Sequence, residues 1–242
     1  MVTKTSVSVF AILALFASSL AFAGPTAYPQ FYHEGIAPDF VNQKLTPKTR
    51  ELCNEEYAVK HSGITRTPLY AAEVITREGL RQGKGLPRSN DFQADVRLPA
   101  NESSELSDYA RSGMDRGHVF PAADATTATG KDETFLLSNM VPQDSNNNRG
   151  IWSDIEGAVR KEAKRRGKLY VLTGPLFQGS KISSLKGRVM VPTGMYKAVI
   201  DPVRKEAAAY VVANAPGTEY QVVSVADLEQ MAGINLFPAL SG

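Results

Sequence analysis

The stretch Asp115-Arg116-Gly117-His118-Val119-Phe120-Pro121-Ala122-Ala123-Asp124 places one of only three histidines two residues after an arginine, in the middle of a 242-residue chain. Further on come Asn139-Met140-Val141-Pro142-Gln143 and then Asn146-Asn147-Asn148-Arg149-Gly150-Ile151-Trp152. A neutral imidazole takes a proton from water near pH 7, because its ordinary pKa is about 6.5. An arginine beside it offers a planar fork of donors matched to phosphate oxygens. The asparagine run offers carbonyl oxygens, and Mg²⁺ needs only one or two protein oxygens when water and substrate phosphate supply the rest. An Asn run also caps helices and makes turns, so residue types alone leave the choice among Asn146, Asn147 and Asn148 open.

Working outward, Gly113 and Gly117 bracket the motif and suggest tight backbone turns. Pro68 to Thr76 reads as a strand, and residues 77–105 as a polar loop carrying Arg77, Arg81, Lys84, Arg88 and Arg97. Thr134 to Val141 reads as extended and stopped by Pro142. Residues 148–166 read as one helix, with Ile151, Ile155, Ala158 and Val159 on its apolar face and Gly167 as its stop. Its second half is basic, through Arg160, Lys161, Lys164, Arg165 and Arg166, which suits the helix dipole and also suits long-range attraction of nucleic acid. Strands are expected at Lys168 to Thr173, Arg188 to Asp201 and Glu206 to Ala213. A short helix is expected from Ser224, which has a Ser-x-x-Asp cap. The segment from Gly24 to about Thr46 reads as an irregular arm over the domain, and Lys48 to Val59 as either a short helix or an extended edge. His33 reads as a surface or packing histidine and His61 as a polar loop residue.

Composition bounds the rest. The hydrophobic fraction of 43% permits a sizeable core. A formal charge of +2 is too balanced to demand a polyanionic partner, so any nucleic-acid contact must rest on local clustering. Lys4, the apolar run from Val7 to Leu20 and Ala21-Phe22-Ala23 form the pattern of a secretory signal cut before Gly24. The expectation is therefore a signal peptide over 1–23 and one domain over 24–242, exported to a periplasm or secreted, with no stable membrane association afterwards. Cys53 is the only cysteine, so a monomer has no internal disulfide. No phosphate loop ending in Gly-Lys-Ser/Thr and no Gly-x-Ser-x-Gly elbow is present. There is also no His/Cys set with zinc spacing.

Taken in order, Asp115-Arg116-Gly117-His118, Asn139-Met140-Val141-Pro142-Gln143, Asn148, Gly150, Trp152 and Glu156 resemble the DNA/RNA non-specific endonucleases of the ββα-metal group. The similarity continues through Leu172-Thr173-Gly174-Pro175-Leu176 and Tyr196-Lys197-Ala198-Val199. The resemblance implies an α+β fold, with a central antiparallel sheet flanked by helices and a ββα-metal motif. It implies hydrolysis of DNA and RNA, leaving 5′-phosphate and 3′-hydroxyl ends. His118 becomes the general base, and Asn148 the direct ligand of hydrated Mg²⁺, with Mn²⁺ or another divalent cation as alternatives. Glu156 would reach the ion only through water. On a continuous helix it lies about 80° round and about 12 Å along from Asn148. Arg116 would bind phosphate, Arg88 matches the family's upstream arginine, and Asn139, Gln143 and Asp115 would support the site. A homodimer stays open. The rival readings are a non-catalytic nucleic-acid-binding or DNA-uptake module on the same fold, and a phosphodiesterase for a small ester.

Overall fold

The computed structural model describes residues 26–240. The expected signal segment, residues 1–23, lies outside the described residues. The frame is a seven-stranded antiparallel sheet. Its strands are β1 (Thr49–Cys53), β2 (Tyr57–Ser62), β3 (Thr67–Thr76), β6 (Lys168–Leu176), β7 (Gly194–Asp201), β8 (Glu206–Ala213) and β9 (Gln221–Val223). The order across the sheet is β9-β8-β7-β6-β3-β2-β1. Neighbouring strands follow one another in the chain except β6 and β7, separated by the two-stranded ribbon Ser184–Leu185/Val189–Met190, and β3 and β6, which pair from Ala71 opposite Thr173 to Thr76 opposite Lys168. Between β3 and β6 the chain leaves the sheet and builds the layer that carries the Asp115–His118 motif.

That excursion contains α1 (Arg77–Gln82), α2 (Leu106–Tyr109), β4 (Met114–His118), α3 (Ala128–Glu133), β5 (Met140–Asp144), α4 (Ser145–Arg149) and α5 (Ile151–Arg166). Strands β4 and β5 pair antiparallel, with Asp115 opposite Gln143 and His118 opposite Met140. With α5 they form the ββα unit. The apolar stripe of α5 is Ile151, Ile155, Val159 and Ala163, spaced four apart and all buried. Ala158, expected on that face, is exposed.

The sheet is covered on both sides, so its central strands are buried on both faces and mostly apolar, with Glu73 of β3 and Lys197 of β7 as buried charged exceptions. One face, including Ala58, Ala72, Leu172, Ala198 and Ile200, packs under Phe31 and Tyr32 of the N-terminal arm and Leu228 of α6 (Val225–Ala232). Ser224 caps α6 by accepting from the Asp227 amide at 3.1 Å. The other face, including Tyr57, Val59, Ala71, Met195 and Val212, packs against Trp152 and Ile155 of α5 and against Val119 and Phe120. Among the described residues no helix is long and apolar enough to cross a membrane.

Four expectations need correction. Pro142 does not stop the extended segment. It lies inside β5 opposite Arg116, where a two-stranded ladder tolerates its missing donor. The segment before it turns through a 3₁₀ helix at Leu137–Asn139. His61 is no loop residue: it is fully buried in β2, with Nε2 2.9 Å from the Glu102 carbonyl oxygen. The helix expected over 148–166 is two helices broken at Gly150.

Candidate active site

Side chains two apart on a strand share a face, so β4 sends Arg116 and His118 into one cleft of about 540 Å³. Arg88, Phe92, Asp115, Asn148, Glu156 and Arg160 also line it. Gly117, between the arginine and the histidine, is required by close approach and not by a turn. A Cβ there would sit 2.1 Å from Gln143 Oε1. The Gln143 side chain crosses this gap and donates from Nε2 to Asn147 Oδ1 at 2.8 Å.

The three asparagines separate cleanly. Asn146 is exposed. Asn147 is buried and occupied: it accepts from Gln143 and donates to the Ala213 carbonyl at 2.9 Å, fastening α4 to the end of β8. Asn148 reaches the cleft, and its Nδ2 donates to Asp115 Oδ2 at 2.9 Å. With its nitrogen held there, the amide turns its oxygen to the remaining side. Asp115 also accepts from Ser145 Oγ at 2.9 Å and from Arg149 at 2.7 and 2.8 Å. Burial pushes its carboxyl up, but the hydrogen bonds from Arg149, Asn148 and Ser145 outweigh burial and hold it below the usual range.

His118 is half-buried between aromatic rings, with Phe135 5.1 Å and Phe92 5.8 Å away between centroids. Its Nε2 is sealed from solvent without a hydrogen-bond partner. Burial, and then the Arg88 and Arg116 cations, lower its pKa to about 3, so the ring is a neutral imidazole at pH 7. Glu156 is pushed up to about 7 by burial, against the pull of the buried Lys197 ammonium. The break at Gly150 places Glu156 and Asn148 on different helices lining the same cleft, so the single-helix geometry expected for them does not apply.

Asn139 is a clamp. Its amide accepts from the Phe120 N–H at 2.8 Å and donates to the carbonyls of Phe120 and Thr134, each at 2.9 Å. It thereby fixes the chain leaving His118 through direct bonds to the backbone. Two groups escaped the sequence reading. Arg160, counted there with the basic helix end, turns into the cleft, where Nη1 lies 2.9 Å from Asp124 Oδ1 and 3.8 Å from Glu156 Oε2. Its spacing of four from Glu156 was the available signal. Asn214 accepts from the Asp144 N–H at 2.8 Å and donates to the Pro142 carbonyl at 3.0 Å, tying β5 to the sheet. Nothing in the sequence around Asn214 marked it.

Among the described residues no three His, Cys, Asp or Glu converge as a closed metal cage. One amide oxygen with a carboxylate across the cleft fits a hard, hydrated divalent cation and does not fit zinc. A neutral imidazole, arginine cations and an amide oxygen facing one cleft are the groups that hydrolysis of an anionic ester calls for.

Comparison with known proteins agrees. The family described as DNA/RNA non-specific endonuclease matches residues 38–242. Nuclease C1 of Cunninghamella echinulata var. echinulata is 33% identical over 232 residues, covering 87% of each chain. The mitochondrial nuclease EXOG of Danio rerio is 36% identical over 205 residues, covering 76% of this chain and 60% of that one. The endonuclease G fold in the crystal structure of the EndoG/EndoGI complex superimposes with a TM-score of 0.72 at 29% identity, covering 78% of this chain and 86% of that one. The chain belongs to the DNA/RNA non-specific endonuclease family. It is a phosphodiester-hydrolysing nuclease of a family that depends on a divalent metal.

Proposed function

We propose that the protein is an exported endonuclease that cleaves both DNA and RNA with little sequence preference, using Mg²⁺, with His118 as general base and Asn148 as the metal ligand. The observation that carries this reading is the Asp115–Asn148 hydrogen bond. It commits the amide nitrogen and leaves the oxygen for a hard cation, in a cleft that also holds a neutral imidazole. His118 takes a proton from water as that water attacks phosphorus, a contribution of about a hundred- to ten-thousand-fold. Arg116 and Arg88 bind phosphate oxygens and offset the negative charge added in the transition state. Glu156, as a carboxylate, orients water in the cleft. Bound at Asn148, a divalent ion would polarise the phosphate and stabilise the leaving 3′ oxygen. Contacts to phosphate and not to base edges account for low sequence preference. Lys4, the apolar run to Leu20 and Ala21-Phe22-Ala23 support export.

The test uses supercoiled plasmid and total RNA with protein beginning at Gly24, in Mg²⁺ or EDTA, beside a His118→Ala variant. Cleavage of both substrates in Mg²⁺ only, lost in a variant that keeps its melting temperature, is the expected outcome. Binding without cleavage in any divalent ion would replace the enzyme reading with a binding or uptake module. N-terminal sequencing of the exported protein should begin at Gly24.

A further inference from the structure

Three functional side chains of the cleft rest on just two rings. The Arg116 guanidinium carbon lies 4.1 Å from the centroid of Phe92, and that of Arg88 lies 5.3 Å from the centroid of Phe135. The His118 imidazole stands at right angles to Phe135 and tilted against Phe92. The two phenylalanines meet edge to face at 5.0 Å. Among the described residues no carboxylate lies within ion-pair reach of Arg116, unlike Arg149 on Asp115 and Arg160 on Asp124. Arg116 Nε is buried without a hydrogen-bond partner, as is His118 Nε2. Arg88 Nε still donates to Asn90 Oδ1 at 2.7 Å, so it is Arg116 and His118 that the aromatic rings hold where polar partners would ordinarily do so.

The two rings differ in exposure. Phe135 is fully buried, as a core residue is. Phe92 is only half-buried and lines the cleft, on the segment 83–105 that carries no regular helix or strand before α2. That segment is nonetheless stitched down. Gln93 donates to the Phe135 carbonyl at 3.2 Å and accepts from the Leu137 N–H at 2.9 Å. Lys131 donates to the Leu86 carbonyl at 2.8 Å, and Ser138 donates to Asp95 at 2.6 Å. So much backbone fixing around one half-exposed aromatic exceeds what a surface loop needs.

We propose that Phe92 is a positioning residue of the reaction: its ring carries the Arg116 guanidinium by a cation–π contact and, with Phe135, holds the His118 ring in its working orientation. This rests on the roles assigned above to His118 and Arg116. A ring can hold a guanidinium without taking its charge or its in-plane donors, so Arg116 stays free to meet a phosphate. A carboxylate partner in the same place would compete with substrate for those donors.

The experiment compares Phe92→Leu, Phe92→Tyr and site-specific replacement of Phe92 by phenylalanines carrying one, two and five ring fluorines. Fluorination drains the negative face while nearly preserving shape, so folding is spared. The expected result is a stepwise fall in kcat with fluorine count, reaching about tenfold, with KM for a short duplex changing less than kcat. Phe92→Leu should fall at least as far, and Phe92→Tyr should keep near-full activity. Melting temperatures are read for every variant. A flat response to fluorine, or full activity in Phe92→Leu, overturns the proposal. His118→Ala runs alongside: if it stays active, the reading of the site itself fails. If it is inactive while fluorination has no effect, that reading stands and only the role of Phe92 falls.

Discussion

Asn148, the proposed metal ligand, and Asp115 show how much of a ligand's identity lies in its neighbour. An asparagine amide presents either end, and two more asparagines precede this one. Asp115 breaks the tie by binding Nδ2, while Asn147 is spent on Gln143 and Ala213. Removing a partner that aims a metal ligand typically costs about 10–100-fold in metal affinity. Asp115→Ala should therefore raise the Mg²⁺ needed for half-maximal cleavage by about that factor, and Asn148→Ala should raise it more. An unchanged Mg²⁺ titration in Asn148→Ala would take the ligand role away from Asn148. His118 yields a second test at this scale. Its folded pKa lies near 3 and its unfolded pKa near 6.5, so between those values the unfolded chain binds the extra proton and stability falls as the pH falls. By pH 5 the contribution is about 1–2 kcal/mol. A His118→Ala variant should lose less stability than the parent between pH 7 and pH 5 in denaturant titrations, and equal losses would show that the ring is not held neutral. The residue types themselves were legible in the sequence, because a lone histidine beside an arginine and an amide run is chemically conspicuous. The placement of Arg160 on Asp124 and of Asn214 on β5 was not, because a hydrogen bond across 36 or 70 residues leaves no local trace.

The break at Gly150 is the element on which the site turns. Apolar residues from Ile151 onward follow a helical period, and that period extrapolates back through Asn148 without showing the break. The structure interrupts it where Gly150 caps both α4 and α5, and a Cβ there would stand 2.7 Å from the Asn146 carbonyl oxygen. That atom is backbone and cannot swing aside, so Gly150→Ala must shift α4 against α5. The cost in stability should be about 1–3 kcal/mol, as for other overpacked sites. Activity should fall by a larger factor, up to about a hundredfold, because Asn148 and Glu156 sit on opposite sides of the joint. Thermal melts and cleavage rates on the same preparation check this, and a variant that loses stability but no activity would detach the joint from catalysis. Elsewhere, strands β7, β8 and the start of α6 were readable, since their apolar runs end at turn residues or a cap. Pro142 misled because its missing donor matters in a wide sheet and little in a two-stranded ribbon.

At the scale of the molecule, the sheet is a series of neighbouring hairpins with one wide gap, between β3 and β6, and the whole ββα unit fills it. The cleft is built over the sheet, and its charges are sorted with care. Of the basic helix end, Arg165 is paired with Glu162 at 2.6 Å, and Arg166 reaches Glu162, Asp201 and Glu206. Arg160 is turned inward. Three of the five basic side chains of that end of α5 are therefore ion-paired, while Lys161 and Lys164 make no ion pair among the described residues, a sorting that a count of lysines and arginines could not reveal. Arg88 and Arg116 instead rest on aromatic rings, with their charge available to substrate. Polyanion binding releases about 0.9 counterions for each phosphate neutralised, so the slope of log affinity against log salt counts the cations that take part. Measured on a duplex in EDTA, where cleavage is absent, Arg88→Ala and Arg116→Ala should each weaken binding and flatten that slope by about one. Arg165→Ala should change neither quantity, since its charge is already offset within α5. A slope that flattens in Arg165→Ala and holds in Arg116→Ala would place the nucleic acid along the helix end, and the cleft would then engage only the scissile phosphate.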